Sequence, residues 1–229
     1  MGQGPKDESK ANDVIQKSLP LLTISIFAGQ YRYSTWGYNA IGYVASTVTG
    51  KPLSQLIKEY VTDPLGMQVT TFDHDVAASA KYPLSLPHNI GSSGLRVDTM
   101  LINTAFNAGA GLYSNTDDMC KLARFFLNGG VTDSGERLLS EETFQNMIAP
   151  QVKVSETSAY GFGVQLWDID GRQYYGHHGT YYGRNYRCSL YVDAETGYSV
   201  VILMNSSSTV KDLRQAVPLT VFEMLGQKN

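Results

Sequence analysis

Residues 160–205 read YGFGVQLWDIDGRQYYGHHGTYYGRNYRCSLYVDAETGYSVVILMN, and this stretch decides the fold. Asp170-Gly171 is a two-residue hairpin signal between apolar runs. Asp193 to Gly197 forms a longer turn, with Gly197 where a positive φ is needed. Between the two turns, Tyr186, Cys188, Leu190 and Val192 alternate with Arg187, Ser189, Tyr191 and Asp193, a period of two that predicts a strand. Val200 to Met204 is apolar without a break, which predicts a strand covered on both faces. The stretch therefore predicts an antiparallel sheet of about three or four strands, one of them ending in Gly176-His177-His178-Gly179-Thr180.

Composition bounds the rest. The 229 residues are 42% hydrophobic and 17% charged, enough to build a core in one domain. A single domain over 1–229 is expected, with 1–12 as a loose tail. Net charge is -3 with no basic stripe, which excludes nucleic acid as a main partner. No apolar run reaches the ~18 residues of a membrane span, and Leu19 to Ala28 is interrupted by Pro20, Thr23 and Ser25. Cys120 and Cys188 are too few for a disulfide scaffold and read as buried free thiols.

Upstream, Ile41, Val44, Ala45 and Val48 recur at helical spacing and predict a helix ended by Gly50. Pro52 opens a second helix with Leu53, Leu56, Ile57 and Tyr60 facing inward. Residues 68–106 read as a loop-rich excursion. Met119, Leu122, Ala123 and Phe126 form the buried stripe of a third helix, with Asp117 and Asp118 at its positive end. Ser140-Glu-Glu-Thr143 starts a short helix that stops before Pro150, and Ser206 to Gly226 should be helical, kinked or broken at Pro218.

The order of motifs resembles the serine β-lactamase and D-alanyl-D-alanine peptidase superfamily, in the branch of class C β-lactamases and related esterases and carboxypeptidases. Tyr31-Arg-Tyr-Ser-Thr-Trp-Gly-Tyr-Asn-Ala-Ile-Gly42 resembles the pattern aromatic-x-Tyr-Ser-Asn-x-Gly-Tyr-x-x-x-Gly, with Thr35 in the place of Asn. Asp63-Pro-Leu-Gly-Met67 and Gly109-Ala-Gly-Leu-Tyr-Ser114 match two further segments. His177-His178-Gly179, Gly183 and the valine-rich run ending in Asn205 fill the place of the Lys/His-x-Gly strand and its successors, without the usual Pro. Leu21-Leu22-Thr23 and Ser25 match a fourth segment in part, with Ile24 where the family has His. The resemblance implies an α+β fold of the β-lactamase/transpeptidase type, an antiparallel sheet flanked by helices.

It also implies roles. Family members attack a carbonyl with a serine activated by a neighbouring base, because a serine hydroxyl is itself a weak nucleophile. Tyr33 would be the phenol that shuttles the proton. Thr35 would take the substrate contact normally made by an amide. His177 would polarise the site and touch the substrate beside Gly179, and the Thr180 N–H would be one oxyanion donor. Read alone, Tyr33 is a packed aromatic and a strand-end His is satisfied by a backbone carbonyl. No cofactor is implied, and the partner would be a small-molecule or peptide-like acyl substrate.

The Ser-x-x-Lys motif that supplies nucleophile and base is missing at its expected place. Ser9, Ser18 and Ser25 are followed three residues on by Asn12, Leu21 and Ala28. Ser208-Thr-Val-Lys211 lies after the last strand, where a helix cap is the expected role of Ser208. The expectation is thus an N-terminally truncated serine hydrolase domain, inactive as given, with a non-catalytic binding module or gene remnant as the alternative. A metal hydrolase using His74, His88, His177 and His178 is disfavoured, since no HxH or HExxH spacing occurs and His177 and His178 should point to opposite faces. Strand Tyr198–Asn205, uncharged and without the first strand that pairs it in the family, is expected to self-associate through its edge.

Overall fold

The computed structural model describes residues 13, 16–17, 29–79, 83–91, 94–97, 108–181, 186–206 and 213–226. The expectations for residues 1–12, Leu19 to Ala28, Gly183 and Ser208-x-x-Lys211 fall outside the described residues. The chain divides into two compact units, Met1–Leu84 with Leu101–Asn115, and Ser85–Met100 with Thr116–Asn229.

The first unit carries helix α1 (Thr35–Thr49). The Ser34 hydroxyl caps its start by accepting from Gly37 N–H at 2.9 Å, and Gly50 in the left-handed region closes it. The helix read from the Ile41, Val44, Ala45 and Val48 spacing is present, and its apolar stripe faces outward: Ile41, Val44 and Val48 are 62%, 54% and 76% exposed. The buried side is instead Asn39, Gly42 and Ser46. Close approach explains the choice, because a Cβ on Gly42 would come 2.6 Å from Ala108 Cβ and 3.3 Å from Leu53 Cδ2. Helix α2 (Leu53–Ile57) follows, with Pro52 at its cap position, and continues into a π-helical turn, Lys58–Thr62. Leu56 is buried as expected, whereas Tyr60 is exposed, contrary to the periodic reading. A short helix α3 (His74–Ser79) lies in the region read as loop.

The second unit begins with a small hairpin, β1 (His88–Gly91) and β2 (Gly94–Val97), also within that region. Helices α4 (Thr116–Leu127) and α5 (Glu141–Ile148) follow, the latter capped by Ser140 accepting from Thr143 N–H at 3.1 Å. The sheet then runs as a meander: β3 (Val152–Ser155), β4 (Ser158–Tyr160), β5 (Gln165–Ile169), β6 (Arg172–Tyr181), β7 (Tyr186–Asp193) and β8 (Tyr198–Met204). Among the described residues it has six strands in sequence order, all antiparallel neighbours, and the stretch 160–205 supplies β5 to β8, four strands as expected. The extra strands, β3 and β4, are only four and three residues long, too short for alternation to announce them.

The two hairpin turns are where the sequence puts them. Asp170 (φ 55°) and Gly171 (φ 80°) join Ile169 and Arg172, which pair, the twist-compatible turn that Asp-Gly favours. Asp193 Oδ1 accepts from the Glu195 and Thr196 N–H groups, and Gly197 closes the second turn. One sheet face packs Tyr175, Leu190 and Val192 against Ala123 and Phe144 of α4 and α5. The other packs Tyr174 and Tyr191 against Phe222 of helix α6 (Leu213–Gly226), which runs through Pro218 without a break. Cys188 is half-buried, but Cys120 is exposed, against expectation.

Candidate active site

In a strand, N–H groups alternate between the two edges, and in antiparallel sheets alternate residues bond to each neighbour. The two-residue turn makes Ile169 and Arg172 a bonded pair, so even-numbered residues of β6 face β5 and odd-numbered ones face β7. The His178 N–H accordingly donates to Gln165 Oε1 at 3.1 Å. Thr180 has the same parity. Strand β5 begins at Gln165, opposite Gly176, so β6 outruns it by the length of 177–181. The Thr180 N–H therefore faces an edge where the ladder has ended.

Two contacts fix that strand end. A Cβ on Gly179 would collide with Cys188 Sγ, its cross-strand neighbour, so only glycine lets β6 and β7 approach there. From α6, Arg214 Nη1 donates to Thr180 Oγ1 at 2.6 Å and to the Gly179 carbonyl at 3.3 Å. This sets a guanidinium beside the strand terminus.

His177 and His178 do point to opposite faces. His178 stacks on Trp167, with ring centroids 5.0 Å apart, and bonds through Nε2 to the buried Tyr191 hydroxyl at 2.9 Å. His177 lies on the α4–α5 face. Its Nδ1 is bonded to the His178 carbonyl, so Nδ1 carries the proton and Nε2 accepts from the Tyr160 hydroxyl at 2.7 Å. Burial holds its pKa below the ordinary 6.5, only partly offset by the carbonyl bond. The imidazole is thus neutral near pH 7, a hydrogen-bonding group rather than a cation.

In the first unit, Tyr33 precedes the α1 cap and is 58% exposed. Its pKa is raised, first by partial desolvation and then by Tyr31, so the phenol is protonated at neutral pH. Thr35 opens α1 and lies against the chain at Gly109, where a Cβ would sit 2.6 Å from Thr35 Cγ2. Asn39, four residues on, accepts from the Gly109 N–H at 2.8 Å. The Tyr-Ser-Thr motif and the Gly109–Ser114 motif are therefore locked together: a buried amide and a missing side chain hold the start of α1 on the Gly109 turn.

The structure places His177, Gly179 and Thr180 on one strand end and Tyr33 with Thr35 at one helix start. Sequence reasoning missed Tyr160, Gln165 and Arg214. Tyr160 and Gln165 lie in the stretch that decides the fold, and pairing β4 and β5 with β6 in a meander would have brought both near His177. Arg214, 34 residues after Thr180, carries no local signal.

The Beta-lactamase family model matches residues 6–221. A protein of Bacillus subtilis named as penicillin-binding protein PbpX is 24% identical over 216 residues, covering 94% of this chain and 50% of its own. Penicillin-binding protein 4 of Amycolatopsis lactamdurans is 25% identical over 158 residues, covering 65% of this chain and 40% of its own. Among solved structures, the octameric penicillin-binding protein homologue of Pyrococcus abyssi superposes with a TM-score of 0.80 at 20% identity, over 100% of this chain and 49% of that one. A class C β-lactamase mutant superposes with a TM-score of 0.72 at 12% identity, over 98% of this chain and 66% of that one. The chain spans about half the length of the curated relatives it matches.

Proposed function

The chain belongs to the β-lactamase family of serine hydrolases and has its β-lactamase/transpeptidase-like fold, and from that premise we propose that it carries the acyl-holding side of an acyl-serine site. The Thr180 N–H, aimed past the start of β5, supports the reading most directly, because an oxyanion donor must be free of the ladder that holds it. On the first unit, Tyr33, protonated at neutral pH, is suited to proton donation, and Thr35 carries a hydroxyl for a substrate contact. Neutral His177 fixes the strand through Tyr160 and offers polarity without charge. The partner on this reading is a small-molecule or peptide-like acyl compound. Arg214 beside Thr180 favours one with an anionic group near its carbonyl.

These 229 residues hold no Ser-x-x-Lys ahead of Tyr33, and without a base-activated serine the chain performs no acyl-serine chemistry by itself. Incubation with a fluorophosphonate or a labelled penicillin, followed by intact-mass measurement, should leave the mass unchanged. A stoichiometric adduct on any serine would overturn this.

A second reading, a non-catalytic binding module, is favoured by the use of both His177 ring nitrogens within the protein. It predicts saturable binding of an acyl compound, measured by calorimetry, that Thr180→Pro abolishes by deleting the free N–H. The octameric Pyrococcus abyssi homologue supports a further proposal, that this chain self-associates; sedimentation velocity over a concentration series tests it.

A further inference from the structure

Strand β6 outruns β5, and the cause lies in the residues just before β5. Gly163 has a φ of 78°, and the Gly161 N–H donates to the Val164 carbonyl at 2.8 Å, so the chain folds back on itself there. The Phe162 N–H donates to the Met147 carbonyl of α5 at 2.9 Å, and a Cβ on Gly161 would collide with that same oxygen. The chain is drawn onto α5 and leaves the ladder at the Gln165–Gly176 pair. Continuing the register would have set residue 163 against His178.

Two side chains stand in for the missing residue. Gln165 Oε1 accepts from the His178 N–H at 3.1 Å. His177 Nδ1 donates to the His178 carbonyl. In an antiparallel ladder the N–H and C=O of one residue point to the same neighbouring strand. Both groups through which His178 could hold a further strand on the β5 side are therefore already bonded. Thr180 is the next residue of that parity, and among the described residues no strand lies opposite it. An unpaired strand edge accepts a peptide as an added strand, through bonds at every second residue. Here that edge is interrupted at His178, directly beside Thr180.

We propose that Gln165 is a specificity-determining residue: with His177 it caps β6 at His178, so a ligand bonds to the backbone at Thr180 and cannot run on beside His178. The site then takes short acyl compounds and discriminates against extended peptide strands. This rests on the acyl-site reading above and narrows its ligand. Gln165 reaches His178 from the last paired position of β5, so it acts without any change in the ladder behind it. Removing its side chain should open the His178 N–H while His177 still holds the carbonyl, which amounts to one backbone hydrogen bond gained by a longer ligand.

The test compares the 229-residue chain with Gln165→Ala and Gln165→Glu. Two achiral probes are titrated by NMR, N-acetyl-glycine amide and N-acetyl-tetraglycine amide. Amide hydrogen exchange is followed on the same samples. In Gln165→Ala the His178 amide should exchange at least about tenfold faster, while the Gly176 amide, still in the ladder, keeps its protection. Wild type should bind the short probe at least as tightly as the long one. Gln165→Ala should shift the preference toward the long probe by about threefold to tenfold, the worth of one hydrogen bond. Gln165→Glu retains an acceptor for the His178 N–H, so its exchange and its preference should stay at the wild-type values. An unchanged His178 amide in Gln165→Ala would overturn the cap. Faster exchange with both probes bound in the wild-type ratio would overturn the specificity role alone. Faster exchange with no binding of either probe to any of the three proteins would instead overturn the acyl-site reading, and the specificity role with it. If Gln165→Ala fails to fold, wild type and Gln165→Glu decide, and a wild-type preference for the long probe overturns the proposal.

Discussion

Helices α1 and α4 have apolar residues at the same spacing and meet opposite fates. In α4, Leu122, Ala123 and Phe126 are packed against the sheet, with Ala123 fully buried. In α1, Ile41, Val44 and Val48 face outward, while Asn39, Gly42 and Ser46 are buried. The 3.6-residue period reports that a helix will form and which face is apolar. It does not report which face finds a partner. Helix α4 has a sheet to cover, and large side chains fill the space between them. Helix α1 is held instead by close backbone approach, where a small residue and one buried amide matter more than apolar area.

Substitutions can break that contrast. The largest effect should come from the α4 side. Phe144→Ala empties a site that packs against Ala123 and Phe126 and should cost about 3–5 kcal/mol, read from the urea midpoint at unchanged slope. A loss under about 1 kcal/mol would mean that this core is not close-packed.

Next is Gly42→Ala in α1. Alanine is the better helix former by about 1 kcal/mol. Yet its Cβ would meet Ala108 Cβ at 2.6 Å, and an alanine neighbour has no side-chain torsion with which to yield. Net destabilisation of about 1–3 kcal/mol is expected. A stabilised variant would show that α1 is not held by close approach.

The smallest effect belongs to Val48→Lys on the exposed stripe. It should change stability by no more than about 0.5 kcal/mol while reducing binding of a hydrophobic dye. A large loss of stability would mean that Val48 is covered in solution, and the contrast between the helices would disappear.

How far the sequence was legible follows the same division. The Asp170-Gly171 and Asp193–Gly197 turns, the alternation of β7, the cap at Ser140 and the close of α1 at Gly50 all appear as read, because each is set by residues within a few positions of one another. The opposed faces of His177 and His178 likewise follow from strand geometry alone. Strands β3 and β4, which precede the stretch that predicts the sheet, are too short to alternate visibly. The inward placement of Tyr60 failed because a local period carries no information about a distant partner, as the outward stripe of α1 also shows.

The site divides similarly. The candidate motifs, Tyr33-Ser34-Thr35 in the first unit and His177-His178-Gly179-Thr180 in the second, are local and are legible in the sequence. Tertiary structure decided what surrounds them. The Tyr160 hydroxyl on Nε2, the desolvated neutral ring of His177, the Cys188 sulfur that demands glycine at 179 and the Arg214 guanidinium on Thr180 all come from other strands or from α6. That the β5 ladder ends before Thr180 also depends on where a neighbouring strand starts. Backbone period, turn chemistry and capping act over a single turn or hairpin, so the sequence displays them. Desolvation, close approach and edge pairing depend on which distant atoms arrive, and only the folded chain determines that.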